Sequence, residues 1–430
     1  MKARRVAITG IGLVTPVGNG AASTWQALLQ GQSGVAPISL FDASGFPVRI
    51  AAEVKGDAHL ELVGSRRITK SANRSHLFAL AAAEEALRDA DLRPTPETSH
   101  RWGCTVGTGM VNVTYPELET LHREAVKGDT LDTLRLLNSP MARDPMAFCR
   151  SQPAEGVSLL LKRYGIRGYS SSVHTACASG GQAVGTALKV IRRGDCDAVL
   201  AGGFDSMISP LGLAGFCLLN AVSPDNDNPL GASRPFDASR NGFVLGEGAG
   251  FLVLEEWEAA HRRGARIYAE LAGEGNSLSS YRITDSHPSG DGPIQAMHQA
   301  LACAGAQPHH VDYLNAHGTS TPMNDRSEAA AAQAVFGAHV GQVAVSSTKS
   351  LMGHLIAAAG AVEAAVCALA IHHRVAPINA NLRERDPDCD LNFVCDQPKT
   401  MPIRMAMSNS LGFGGSNSCL VFRSPEEVDG

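Results

Sequence analysis

The chain has 430 residues, room for two or three average domains or for one large unit of two similar halves. Hydrophobic residues at 44% and charged residues at 18% describe an ordinary globular composition with ample core-forming material. A net charge of −5, with no basic cluster beyond a short piece at residues 2–5, leaves no electrostatic footprint for nucleic-acid binding.

The first apolar run, Val6-Ala-Ile-Thr-Gly10-Ile-Gly12, predicts a strand entering a loop. It is no dinucleotide fingerprint, because Thr15 replaces the third glycine and Pro16 stands where the helix should begin. Broken by two glycines, it is also unlike a signal peptide. Residues 75–92 predict a helix with Leu77, Leu80, Ala81 and Leu87 on one face, although Glu84 falls within that face. A strand follows at 102–107 and runs into Gly107-Thr-Gly109-Met110. Residues 115–156 are polar and carry Pro140, Pro145 and Pro153, and predict a helical insertion over a binding face.

A short β-prone run then delivers Ser171-Ser-Val-His-Thr-Ala-Cys177-Ala-Ser-Gly-Gly. The helical pattern that follows, to about Arg193, is so poor in bulk that it must lie central and buried on several sides. Strands are expected at 197–203, 250–254 and 266–274, with a helix at 255–263. The second half repeats this order. It has a helix at 293–304, a strand at 311–315 and a helix at 325–336. A strand at 343–347 and a small-residue helix at 355–372 follow, then strands at 391–394, 405–408 and 418–422. Alternating strands and helices argue for mainly parallel α/β sheets with ligand chemistry on the loops at strand ends.

A buried cysteine is ordinarily structural, and most of the ten here fit that role. They form no Cys-x-x-Cys pair, so neither a zinc ribbon nor a redox motif is supported. Cys177 stands apart at a strand-to-helix turn. There the helix N-terminus favours a thiolate, and unpaired N–H groups can bind an oxyanion. His317 and His354 also end separate predicted strands, in Asn315-Ala-His-Gly-Thr-Ser-Thr and Met352-Gly-His, and Lys349 lies five residues before the second. One thiol with two histidines on different loops suits acyl transfer better than proteolysis. Two neutral imidazoles can both donate hydrogen bonds to the oxygen of a thioester enolate. The longest apolar stretch, 355–370, carries Glu363 and many alanines and makes no convincing membrane span. A reduced cytoplasmic enzyme is the expectation.

Thr175-Ala-Cys177-Ala-Ser-Gly, Asn315-Ala-His317-Gly-Thr-Ser-Thr-Pro, Ser347-Thr-Lys349-Ser with Gly353-His354, and Asn409-Ser-Leu-Gly-Phe413-Gly-Gly occur in order along the chain. Together they resemble the β-ketoacyl-[acyl carrier protein] synthases, in their elongating branch. The resemblance implies a duplicated thiolase-like α/β fold, layered α-β-α-β-α with two mixed sheets and buried central helices. It divides the chain into an N-terminal half, 1–265, with the cysteine and an insertion at about 110–160, and a C-terminal half, 266–430, with both histidines. It implies a homodimer, or a heterodimer with a related subunit, acting on acyl carrier protein, with no cofactor or metal.

Carried over residue by residue, Cys177 takes the acyl chain, and the N–H groups of Cys177 and Phe413 form the oxyanion hole. His317 and His354 assist decarboxylation of malonyl-carrier protein. Lys349 orients the histidine loop and tunes its charge, and Glu363 holds that network. Thr319 and Thr321 contact the phosphopantetheine arm, Met110 and Phe216 bind substrate, and Phe413 gates the two half-reactions. Leu411, Tyr169 and His174 depart from the family's usual residues, near its acyl-pocket and dimer surfaces. Two other readings share the fold: a specialised polyketide or polyene ketosynthase with a partner subunit, and a non-catalytic chain-length partner, against which Cys177 itself argues.

Overall fold

The computed structural model describes residues 4–65, 68, 72–109, 114–138 and 149–427. Met110 and residues 139–148, which include Pro140 and Pro145, lie outside them.

Ten strands form one continuous sheet. In chain order they are β1 (Val6–Val14), β2 (Trp102–Thr108), β3 (Ser170–Val173), β4 (Ala198–Ser206), β5 (Glu247–Glu256), β6 (Ala269–Leu278), β7 (Tyr313–Asn315), β8 (Ala344–Ser346), β9 (Met405–Leu411) and β10 (Ser416–Arg423). The order across the sheet is β8-β7-β9-β10-β6-β1-β5-β4-β2-β3. Counted within each half, both sets of five strands therefore run 3-2-4-5-1. The two mixed sheets expected from the resemblance meet edge to edge through Ala7↔Glu270 and Ile8↔Ala269. The mainly parallel pairing expected from element order does not hold: β2 pairs in parallel with β3 and β4, but β5 is antiparallel to both β4 and β1. The second half repeats this. There β9 and β10 are joined by the short turn 412–415, which only antiparallel neighbours can use.

Apart from the polar, partly exposed edge strand β3, the strands are largely buried on both faces, so most read as apolar runs rather than alternating ones. Along β5, Leu252 and Leu254 point into a central cluster while Ala249, Phe251 and Val253 point outward beneath the Arg74–Asp89 helix. A third cluster lies between the second half of the sheet and the helices Asp291–Ala304 and Pro322–Phe336. Three apolar clusters between five layers give the α-β-α-β-α stack.

The central layer is the helix pair Ser179–Arg193 and Ala359–His373. Their small residues are explained by the crossing: a Cβ at Gly180 would stand 2.7 Å from the Ala361 nitrogen, and one at Gly360 would stand 2.5 Å from the Gly181 nitrogen. Among the described residues, 356–373 alone are long and apolar enough to cross a membrane, but they form this buried helix instead. Gly10 and Gly12 have a matching role, since a Cβ there would meet the carbonyls of Ala86 and Ala82 at 2.2 and 1.9 Å. Gly273 and Gly275 repeat this in the second half against Ala300 and Ala296, at 2.3 and 2.1 Å. These glycines let a helix lie close on a strand and leave no space for a phosphate.

Glu84, the misfit on the first helix, is buried but paired with Arg88 and Arg93, each at 2.7 Å. The insertion is helical as expected, with Tyr115–Ala125, Thr133–Asn138 and Glu155–Tyr164 around a small hairpin of Val126–Lys127 and Thr130–Leu131. None of its described residues lines the cavity described below. Residues 391–394 form no strand. They lie beside the three-residue edge strand β8 and share one bridge with it, Val345↔Phe393.

Candidate active site

The loops at the ends of β3, β7, β8 and β9 converge on a cavity of about 270 Å³ lined by Cys177, Phe243, His317, Thr319, Thr321, His354, Leu411 and Phe413, among others. Cys177 sits in a single turn, Ala176–Ala178, that feeds the first central helix. Ala176 is held left-handed at φ +49°. Ser179 stabilises the turn: its hydroxyl accepts the Thr175 N–H at 2.8 Å and donates to the Ala176 carbonyl at 2.7 Å. The small residues of Thr-Ala-Cys-Ala-Ser are what allow this knot. The main-chain N–H groups of Cys177 and Phe413 both donate toward the Cys177 sulfur, so two donors already converge where an oxyanion would form. Gly412 permits the approach, because a Cβ there would be 2.6 Å from the Thr175 carbonyl oxygen.

The thiol itself departs from expectation. Helix position was expected to favour the thiolate, yet burial pushes Cys177 up to about 12, against the opposing pull of Lys349. Desolvation outweighs the helix terminus in a closed site. At rest Cys177 is therefore a neutral thiol.

His317 and His354 stand edge to face, ring centres 5.2 Å apart, and both are buried. Burial holds both well below the ordinary histidine value, reinforced by the Lys349 charge, so both are neutral. His354 Nδ1 accepts the Ile356 N–H at 3.3 Å. In a neutral ring the proton then lies on Nε2, which has no hydrogen-bond partner among the described residues and is free to donate. Phe243 packs edge-on against this ring at 5.3 Å. The backbone of His354 is clamped between Val244 and Gly246 by bonds of 2.7 and 2.9 Å.

Cys177 and the two histidines offer one ligand atom each within 4.8 Å of one another, the spacing of a three-ligand metal site. The hydrogen bonding favours another use. A metal-bound imidazole normally donates its second ring N–H to an acceptor, whereas His354 spends Nδ1 accepting one.

Lys349 and Glu363 form a buried ion pair behind the histidines. Burial raises Glu363 to about 7, opposed by Lys349. Thr319 and Thr321 line the cavity and share a hydrogen bond of 2.9 Å. Phe216 does not line the cavity: it packs edge-on behind Phe243, ring centres 5.4 Å apart. Met110 lies outside the described residues.

Sequence reasoning missed the carboxylates that shape the His317 loop. Glu328 accepts the N–H groups of His317 and Gly318, both at 2.8 Å, and the Asn409 side chain at 3.1 Å. Asp325 accepts the Thr319 N–H at 3.0 Å and the Phe236 N–H at 2.8 Å. The signal was legible: two acids three residues apart share one face of the helix that leaves the loop. Phe243 gave no signal, being remote in sequence from His354.

Residues 3–260 match the family description "Beta-ketoacyl synthase, N-terminal domain", and residues 268–383 match "Beta-ketoacyl synthase, C-terminal domain". A 3-oxoacyl-[acyl-carrier-protein] synthase 2 of Coxiella burnetii is 41% identical over 98% of this chain and 99% of its own length. The mitochondrial 3-oxoacyl-[acyl-carrier-protein] synthase of Arabidopsis thaliana is 39% identical over 98% of this chain and 93% of its own length. Among solved structures, a polyketide ketosynthase in complex with its acyl-carrier protein superposes with TM-score 0.87, at 32% identity over 98% of this chain and 100% of that one. The ishigamide ketosynthase/chain length factor gives the same TM-score and identity over 98% and 99%. The fold is the thiolase-like fold of these ketosynthases, and the chain belongs to the β-ketoacyl synthase family.

Proposed function

We propose that this enzyme joins an acyl thioester to malonyl-[acyl carrier protein] by decarboxylative Claisen condensation, giving a β-ketoacyl-carrier protein in fatty acid elongation. The observation that carries this reading is one cavity holding a buried thiol, two convergent main-chain donors and a neutral imidazole with its proton on the cavity side. The Cys177 sulfur attacks the acyl thioester and gives up its proton, and the carrier thiol leaves with it. Oxyanion charge falls on the N–H groups of Cys177 and Phe413. Malonyl thioester then places its carbonyl oxygen against His354 Nε2–H and His317, carbon dioxide departs, and the enolate carbon attacks the acyl carbonyl and expels Cys177. Histidines kept neutral by burial and by Lys349 donate without carrying charge of their own. Glu363 holds Lys349, Thr319 and Thr321 take the phosphopantetheine arm, and Phe413 gates access between half-reactions.

A homodimer is part of this reading. It is supported by β3, which ends the sheet with one edge open to a second copy. Ten free cysteines fit a reducing, cytoplasmic compartment. The likeness to polyketide ketosynthases gives the specialised reading weight, but identity to 3-oxoacyl synthases is higher, 38–41% against 32%. A non-catalytic partner role is opposed by the intact site. Mass spectrometry of Cys177 after exposure to a series of acyl-carrier proteins, followed by malonyl-carrier protein, tests the assignment. Acylation followed by release of a chain two carbons longer is expected. A Cys177 that accepts no carrier-borne acyl group sinks it.

A further inference from the structure

The internal repeat that builds the catalytic turn builds it twice. The turn Ile356–Ala358 feeds the second central helix as Ala176–Ala178 feeds the first. Ile356 is left-handed at φ +48°, matching Ala176 at +49°, and each turn leads into a helix of 15 residues. By this register Ala357 is the counterpart of Cys177, and its N–H is the counterpart of the oxyanion-hole donor. Across from Cys177 stands the end of β9 with Gly412 and Phe413. Across from Ala357 stands the end of β4, and there Asp205 Oδ2 accepts the Ala357 N–H at 3.1 Å. The other oxygen accepts the Ser206 N–H at 2.8 Å. Asp205 is buried and makes no ion pair among the described residues. A Cβ on Gly109 would lie 2.3 Å from Oδ2, so a side chain there would have to push the carboxylate aside. The Ala357 carbonyl is gripped as tightly, since Cβ atoms on Gly180 or Gly203 would each come within 2.8 Å of its oxygen.

We infer that Asp205 fills a second cradle, the repeat's counterpart of the one at Cys177, and that its carboxylate there is a positioning residue for His354. The positioning runs through the backbone. Asp205 holds the Ala357 N–H, which sets the peptide after Ile356, whose own N–H fixes the His354 tautomer at Nδ1. Beside Asp205, Ser206 passes a hydrogen bond to Glu247, which is paired with Arg74, and His76 packs on Phe204.

This inference rests on the condensation proposed above, and the test separates the two. In Asp205→Asn, malonyl-carrier decarboxylation should fall on the order of tenfold in kcat with KM held within twofold, while acyl transfer to Cys177 is spared. Nitrogen-15 NMR of the His354 ring should show the proton on Nε2 in the unsubstituted enzyme and a shift toward a mixture of tautomers in Asp205→Asn. Gly109→Ala, which crowds the carboxylate without removing it, should lower decarboxylation in the same selective way, and it serves if Asp205→Asn does not fold. Parallel loss of both half-reactions, or an unchanged His354 ring signal, overturns the positioning role and leaves Asp205 a packing residue. An unsubstituted enzyme inert toward carrier substrates refutes the condensation reading, while the ring signal still decides the positioning role.

Discussion

The two turns that open the central helices share a left-handed first residue, a helix length and a place in the strand order, but they are tied down differently. The turn at Cys177 is held from within by the Ser179 hydroxyl, so its outward N–H stays free to meet Phe413 over the sulfur. The turn at Ala357 has Ala359 in place of Ser179 and is held from outside by the Asp205 carboxylate. On the proposed reading, one copy of the repeat cradles the nucleophile and the other is a strut beneath His354, so that a duplicated fold would supply both halves of a two-stage reaction.

The comparison breaks most completely at the nucleophile. Cys177→Ala should remove acyl-enzyme and lower condensation on the order of 10⁴-fold or more, measured by intact-protein mass spectrometry and product assay. Decarboxylation of malonyl-carrier protein should persist, because the second turn is untouched. Next in size, His354→Ala or His317→Ala should slow decarboxylation by about 10²–10³-fold while Cys177 still becomes acylated, as expected for loss of one donor to a developing oxyanion.

Lys349→Met tests the ion pair under both sites and carries a pH signature. Glu363 has a folded-state value raised to about 7 from 4.5, so its protonation stabilises the fold below about 4.5 and that contribution is lost as pH rises through 7. Without Lys349 the folded value moves higher and the loss extends further upward. The destabilisation should therefore be small at pH 5 and grow to about 3–5 kcal/mol at pH 8, followed by calorimetry. The smallest expected effect is at the helix crossing. Gly180→Ala places a methyl 2.7 Å from the Ala361 nitrogen and 2.8 Å from the Ala357 carbonyl, and should cost about 1–3 kcal/mol in denaturant unfolding. A neutral result there would mean that the two turns are less tightly coupled than their spacing implies.

Much of the site was legible because its chemistry lies in short local motifs. Cys177, His317, Lys349 and His354 each sit at a strand end among small residues and turn formers, a pattern readable within a few positions. The alternation of strands and helices was readable too, as was the need for two bulk-poor helices to approach closely. That alanine stands at the place matching Cys177 in the second half, at Ala357, emerged only from the two turns as folded.

Only the tertiary structure decided what depends on distant segments meeting. The thiol lies far above its expected value because four loops close over it, and burial outweighs the helix terminus once water is excluded. Five of the nine strand pairs in the sheet turned antiparallel because connections, not strand composition, set direction. Glu328 and Asp325 acquired their roles from the register of a helix against a loop, and Asp205 from a repeat that places the end of β4 over a turn some 150 residues away. Side-chain identity is local, whereas desolvation and hydrogen-bond partnership belong to the folded arrangement.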